Sequence, residues 1–155
     1  MESISHSFPH PSQLIPQAAP FLFVDEILDA TANSLLGVYT WREDEYFFKG
    51  HFPGNPVVPG VILCEMLLQC GALWMSLQQG KDNQDGKEGI KIGTPVVTRM
   101  SDAKFKQIVH PGDKSEGHVQ LIEKMGDVAF LKGKILVNQK VTMTLEFAVA
   151  LIDRS

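Results

Sequence analysis

The stretch GHFPGNPVVPGVILCEMLLQ, residues 50 to 69, carries one imidazole and one carboxyl group in surroundings otherwise poor in ionisable side chains. His51 is the residue type whose unperturbed pKa lies nearest neutrality, so it can take or give a proton there. Glu65 sits among apolar neighbours, where burial disfavours its charged form and raises its pKa toward the range useful for acid-base work. Pro53, Pro56 and Pro59 stiffen the loop that holds His51. Pro59-Gly60 reads as a helix start, with no side chain on Gly60 to block approach to its backbone N–H. An open N–H at a helix N-terminus suits developing negative charge. Gln69 follows Glu65 by one turn, and with Ser76 the three make a narrow polar stripe on a greasy cylinder.

These residues need elements to position them. The apolar run from Gly60 to Leu77 is too long for a strand and consists mostly of good helix formers, so it predicts the one long helix of the chain. It approaches the length of a membrane span, but Glu65 and Gln69 interrupt it and no basic flank anchors it, so a buried core helix is expected and no membrane partner. Phe21–Leu28 and Leu35–Trp41 read as a strand pair around a turn at Asp29–Ser34. Five more strands are predicted at Ile92–Met100, Ala103–Val109, Ser115–Glu123, Val128–Val137 and Thr142–Ile152, with a solvated loop at Gln79–Gly89. Pro9, Pro11, Pro16 and Pro20 make the first twenty residues a turn-rich lead-in with one short helical turn around Ser12–Ile15. A helix apolar nearly all round must be covered on nearly all sides, and a curved antiparallel sheet does so. The fold class is therefore α+β, with residues 1 to 155 forming one domain.

Composition excludes other classes. A net charge of -4 and a pI near 5.7 leave no basic stripe for nucleic acid. Cys64 and Cys70 fall on different helix faces and cannot form a disulfide with each other. The N-terminus has neither the basic nor the apolar region of a secretion signal, so a cytoplasmic location is expected. No metal-ligand spacing links His6, His10, His51, His110 and His118. His110 and His118 read as solvent-facing, and Cys64 as a packed thiol.

The segment of residues 50 to 69 resembles the signature of the bacterial 3-hydroxyacyl-acyl-carrier-protein dehydratases of fatty acid synthesis: a Gly-His-Phe-Pro-Gly loop, then Pro-Gly, then a helical Glu. The resemblance extends to PFLFVD at Pro20–Asp25 and to AKFKQIVHPGD at Ala103–Asp113. It implies a hot-dog fold, dimers assembled into a hexamer, and a site at each dimer interface where the His of one subunit faces the acid of the other. It also implies roles. His51 handles the C2 proton, Glu65 with a bound water helps the 3-hydroxyl leave, the Gly60 N–H receives the thioester oxygen, and the Val57 carbonyl orients the imidazole. No metal or organic cofactor is implied. Related dehydratase-isomerases carry Asp at the helical acid position, so Glu65 favours the plain dehydratase. Met66 and Leu68 replace small alanines, and Gln17-Ala18-Ala19 replaces His-Arg-Tyr, which suits a relative with another acyl substrate or reduced activity.

Several positions keep two interpretations. Gln69 either orients the site or is structural, and Glu65 can also be a carboxylate paired across a subunit contact. Lys104 and Lys106 alternate with Phe105 and form either a solvated face or a patch for an acidic acyl carrier protein. A hot-dog thioesterase and a non-catalytic acyl-binding subunit are the rival functions; the latter rests on Met66, Leu68 and the altered lead-in.

Overall fold

The computed structural model describes residues 7–84 and 93–153. Six strands, β1 (Glu26–Ala30), β2 (Ser34–Thr40), β3 (Gly93–Phe105), β4 (Lys114–Met125), β5 (Val128–Val137) and β6 (Lys140–Asp153), form one sheet in the order β1-β2-β4-β5-β6-β3. Every neighbouring pair is antiparallel. Helix α1 (Gly60–Gln84) packs against the inner face of this sheet. The arrangement is the α+β one expected.

Alternation along the strands sets the core. Leu131, Ile135, Met143, Leu145 and Phe147 point inward and are almost fully buried, as are Met66, Leu67, Cys70 and Leu73 of the helix. The helix can lie this close because the sheet carries glycine beneath it. A Cβ at Gly117 of β4 would come 3.0 Å from Cys70 Sγ and 3.2 Å from Met66 Cε. Thus Met66, one of the departures from the family pattern, fills space that a strand glycine leaves open. Leu68 is also buried in the core. By length and composition α1 could cross a membrane, yet it is the core helix of this sheet.

Four details differ from the sequence expectations, each for a physical reason. The helix continues past Gln79 to Gln84, because polar residues and one glycine at the solvated end of a helix weaken it without ending it. The rest of the predicted loop, with Ile92 and His6, lies outside the described residues. Strand β1 begins only at Glu26. The apolar residues before it are tied to α1 by a side chain and not by a neighbouring strand: Phe23 N–H donates to Gln69 Oε1 at 2.7 Å. The two strands expected at Ile92–Met100 and Ala103–Val109 are one strand, β3, which keeps pairing with β6 through two register shifts, at Val97/Arg99 and Ser101/Lys104. Asp102, in the second bulge, has a left-handed φ of 54°, a conformation that Asp tolerates better than most residues. Finally, β6 begins at Lys140 because Asn138 and Gln139, with φ of 50° and 67°, close a two-residue hairpin from β5.

The chain reaches the His51 loop over an aromatic layer. Trp41 is fully buried, packs edge-on against Tyr39 and Phe47, and donates its indole N–H to Ser115 Oγ at 2.8 Å. The Tyr39 hydroxyl donates to Glu45 at 2.5 Å, and burial with this carboxylate pushes the hydroxyl pKa well above its ordinary value. Arg42 pairs with Asp25 at 2.7 Å, joining the segment before β1 to the residues after β2.

Candidate active site

His51 is half-buried in the loop between the aromatic layer and α1. Its Nδ1 lies 3.0 Å from the Val57 carbonyl oxygen. A carbonyl only accepts, so Nδ1 carries a hydrogen, and in the neutral imidazole Nε2 is the nitrogen that keeps its lone pair as a proton acceptor. The Phe52 ring stacks on the imidazole at 4.1 Å between centroids. The loop is held in turn from both sides: Val57 N–H donates to the His51 carbonyl at 2.9 Å, and Val58 N–H to the Val109 carbonyl at 2.8 Å.

Glu65 projects from the second turn of α1 and is half-buried. Burial pushes its carboxyl group above the ordinary carboxylic range, while a hydrogen bond from Gln69 Nε2 at 3.2 Å pulls the other way. Gln69 is itself only 1% exposed and uses its whole amide. Besides Glu65, it donates to the Phe21 carbonyl at 3.0 Å, and it accepts from Phe23 N–H. About two turns further along, Ser76 Oγ donates to the Leu14 carbonyl at 2.9 Å. The polar stripe of α1 therefore does two things: its first member stays open, and the others fasten the lead-in along the helix. Gln69 joins both, being structural toward Phe21 and Phe23 and orienting toward Glu65.

Gly60 opens α1, with the N–H groups of Ile62 and Leu63 directed to the Pro59 carbonyl at 3.0 and 3.1 Å. The Gly60 N–H belongs to the first turn and has no carbonyl of its own helix to serve. The room left by its missing side chain is taken by a neighbour: a Cβ there would stand 2.9 Å from Phe105 Cε1 and 3.1 Å from Cζ. Glycine is required here at least as much by that ring as by any approaching group. The contact was foreshadowed in sequence only by alternation: a lone aromatic between two lysines on a strand faces away from them.

Within one chain His51 and Glu65 have separate partners, Val57 and Gln69, and among the described residues no hydrogen bond or ion pair joins the two. Lys104 and Lys106 are exposed at the end of β3, and Lys104 lies 3.6 Å from Asp102. His110 is exposed, whereas His118 is half-buried and 3.4 Å from Glu116. His118 borders a separate cavity of about 800 Å³ on the outer face of the sheet, with Lys132, Lys134 and Glu146, that includes neither His51 nor Glu65. Both cysteines are free and buried.

The FabA-like domain family matches residues 15–146. The chain belongs to this family. The 3-hydroxyacyl-[acyl-carrier-protein] dehydratase FabZ of Caulobacter vibrioides is 36% identical over 140 residues, covering 90% of this chain and 84% of that one. Its counterpart in Nitratiruptor is 30% identical over 143 residues, covering 92% and 95%. Among solved structures, the dehydratase heterocomplex ApeI:P from Xenorhabdus doucetiae superposes with a TM-score of 0.78 over 95% of this chain and 93% of the other, at 14% identity. That likeness establishes the shared hot-dog fold. Membership of the family gives Met66 and Leu68 their context: both departures lie in the helix–sheet core and leave His51 and Glu65 in place.

Proposed function

We propose that this protein dehydrates 3-hydroxyacyl thioesters carried on acyl carrier protein, the reaction for which the relatives above are named, and that the product is the trans-2-enoyl thioester. The observation that carries the proposal is the Val57 carbonyl on His51 Nδ1, because it leaves Nε2 as a ready base. In the proposed reaction Nε2 takes the proton from C2 of the substrate. Negative charge then grows on the thioester oxygen, to which the Gly60 N–H at the helix N-terminus can donate a hydrogen bond. Glu65, whose carboxyl group burial pushes above the ordinary carboxylic range, gives its proton to the departing 3-hydroxyl, which leaves as water. The C2–H and C3–O bonds break, C2 and C3 become doubly bonded, and return of the proton from His51 to Glu65 resets the pair.

His51 and Glu65 are held by separate partners, which supports a site completed across a dimer, with the imidazole of one subunit facing the carboxyl of the other. We extend the proposal to a hexamer of three such dimers, to one working domain per chain and to a cytoplasmic location. Lys104 and Lys106, exposed beside Phe105, are suited to meet the acidic surface of the carrier protein. The test is turnover of crotonyl and 3-hydroxybutyryl thioesters, followed at the enoyl absorbance. Folded His51→Ala and Glu65→Gln variants should each lose about 10²- to 10⁴-fold, the range of general acid-base catalysis. Retained turnover in either variant would remove that residue from the mechanism.

A further inference from the structure

The second bulge of β3 has a consequence for the site. Ser101 pairs with Glu146 and Lys104 with Thr144, so one extra residue is inserted on β3. Side chains alternate strictly along a strand, and an inserted residue reverses which ones face inward. Without it, position 105 would pair with Thr142 in place of Met143, and its side chain would alternate to the opposite face of the strand. With it, Phe105 pairs with the buried Met143 and points to the helix side. A left-handed Asp102 thus turns Phe105 onto Gly60, where three atoms of one ring edge, Cε1, Cζ and Cδ1, occupy the space of a side chain. The ring is not consumed by this contact, since Phe105 remains 53% exposed.

We propose that Phe105 is a specificity-determining wall of the acyl site that admits thioesters unbranched at C2 and excludes those with a substituent there. This rests on the dehydratase function proposed above. A thioester oxygen accepting from the Gly60 N–H must approach to about 3 Å. The atoms bonded to that carbonyl carbon, the sulfur and C2, then lie beside the ring that already touches Gly60. Hydrogens at C2 fit against an aromatic edge; a methyl group there competes with it for the same space. Loss of the ring should relax the discrimination by the factor of about 10 to 200 that one methylene-sized group is worth in an apolar pocket.

The experiment compares dehydration of 3-hydroxybutyryl and 3-hydroxy-2-methylbutyryl thioesters by wild type, Phe105→Ala, Phe105→Leu and Asp102→Gly. The wild type should favour the unbranched substrate. Phe105→Ala should raise the relative kcat/KM for the 2-methyl substrate at least tenfold, as the steric factor above requires. Phe105→Leu should fall between, and Asp102→Gly, which keeps a left-handed residue in the bulge, should leave the ratio as it is. A wild type active on the unbranched thioester whose ratio is unchanged in both Phe105 variants overturns this proposal alone. A wild type inert on both substrates overturns the dehydratase function and this proposal with it.

Discussion

Replacing Gln69 by Leu removes three hydrogen bonds from one buried side chain and keeps its approximate volume. Phe23 is fully buried, so its N–H is left without a partner. An orphaned buried donor costs about 1–3 kcal/mol. Phe21 is 41% exposed, so its carbonyl can turn to water and loses little. Glu65 loses the bond that favours its charged form. Together the variant should be destabilised by about 2–4 kcal/mol, which for a chain of this size lowers Tm by roughly 5–15 °C. The second effect is electrostatic. Without the Gln69 amide the Glu65 pKa rises further, so the limb of the pH–rate profile that reports Glu65 should move to higher pH. Thermal melting and dehydration rates across pH measure the two effects separately. A variant melting within about 2 °C of wild type, with that limb unmoved, would refute the assignment of Gln69 as the link between lead-in and acid.

Other predictions concern the core and the titrating groups. Met66→Ala should lose about 2–5 kcal/mol in denaturant unfolding, as buried large-to-small changes do, while the Glu65 limb of the rate profile stays in place. Cys64 and Cys70 are buried, and burial raises both thiols, Cys70 to about 12. A thiol reagent should therefore find them inert in the native protein and react only after unfolding. Burial also raises Glu65 above its ordinary 4.5, so the folded chain holds that proton more tightly than the unfolded one. Its contribution to stability is then complete below the unfolded value and is lost as pH rises through the folded one. Glu65→Gln should accordingly gain in Tm relative to wild type as pH is raised from 4 to 7, as measured by melts at each pH.

Much of the site was legible because its parts are local. His51, Pro59-Gly60, Glu65 and Gln69 share one loop and the first turns of one helix, so their spacing alone fixes their order in space. The helix itself was legible from its unbroken apolar run, apart from its solvated last turns. What escaped depends on contacts distant in sequence. FLFVD has the composition of a strand, and only the bond to Gln69 shows that its first residues serve the helix instead. Ser101-Asp102 falls between two predicted strands, and pairing with β6 makes it a bulge within one. The Phe105–Gly60 contact follows from that bulge, so no pattern within either segment displays it. His51 and Glu65 were legible as a pair, and the family resemblance already set the Val57 carbonyl against the imidazole; that Gln69 ties Glu65 to Phe21 and Phe23 at once is visible only in the fold.

The most direct measurement follows ¹⁸O from labelled water into crotonyl thioester incubated with the protein, read by mass spectrometry. Run in reverse, the proposed chemistry places the label on C3 as a hydroxyl with the thioester intact, and His51→Ala abolishes it. Label found in a free carboxylate with release of thiol would mean that water attacks the carbonyl, and would contradict the account.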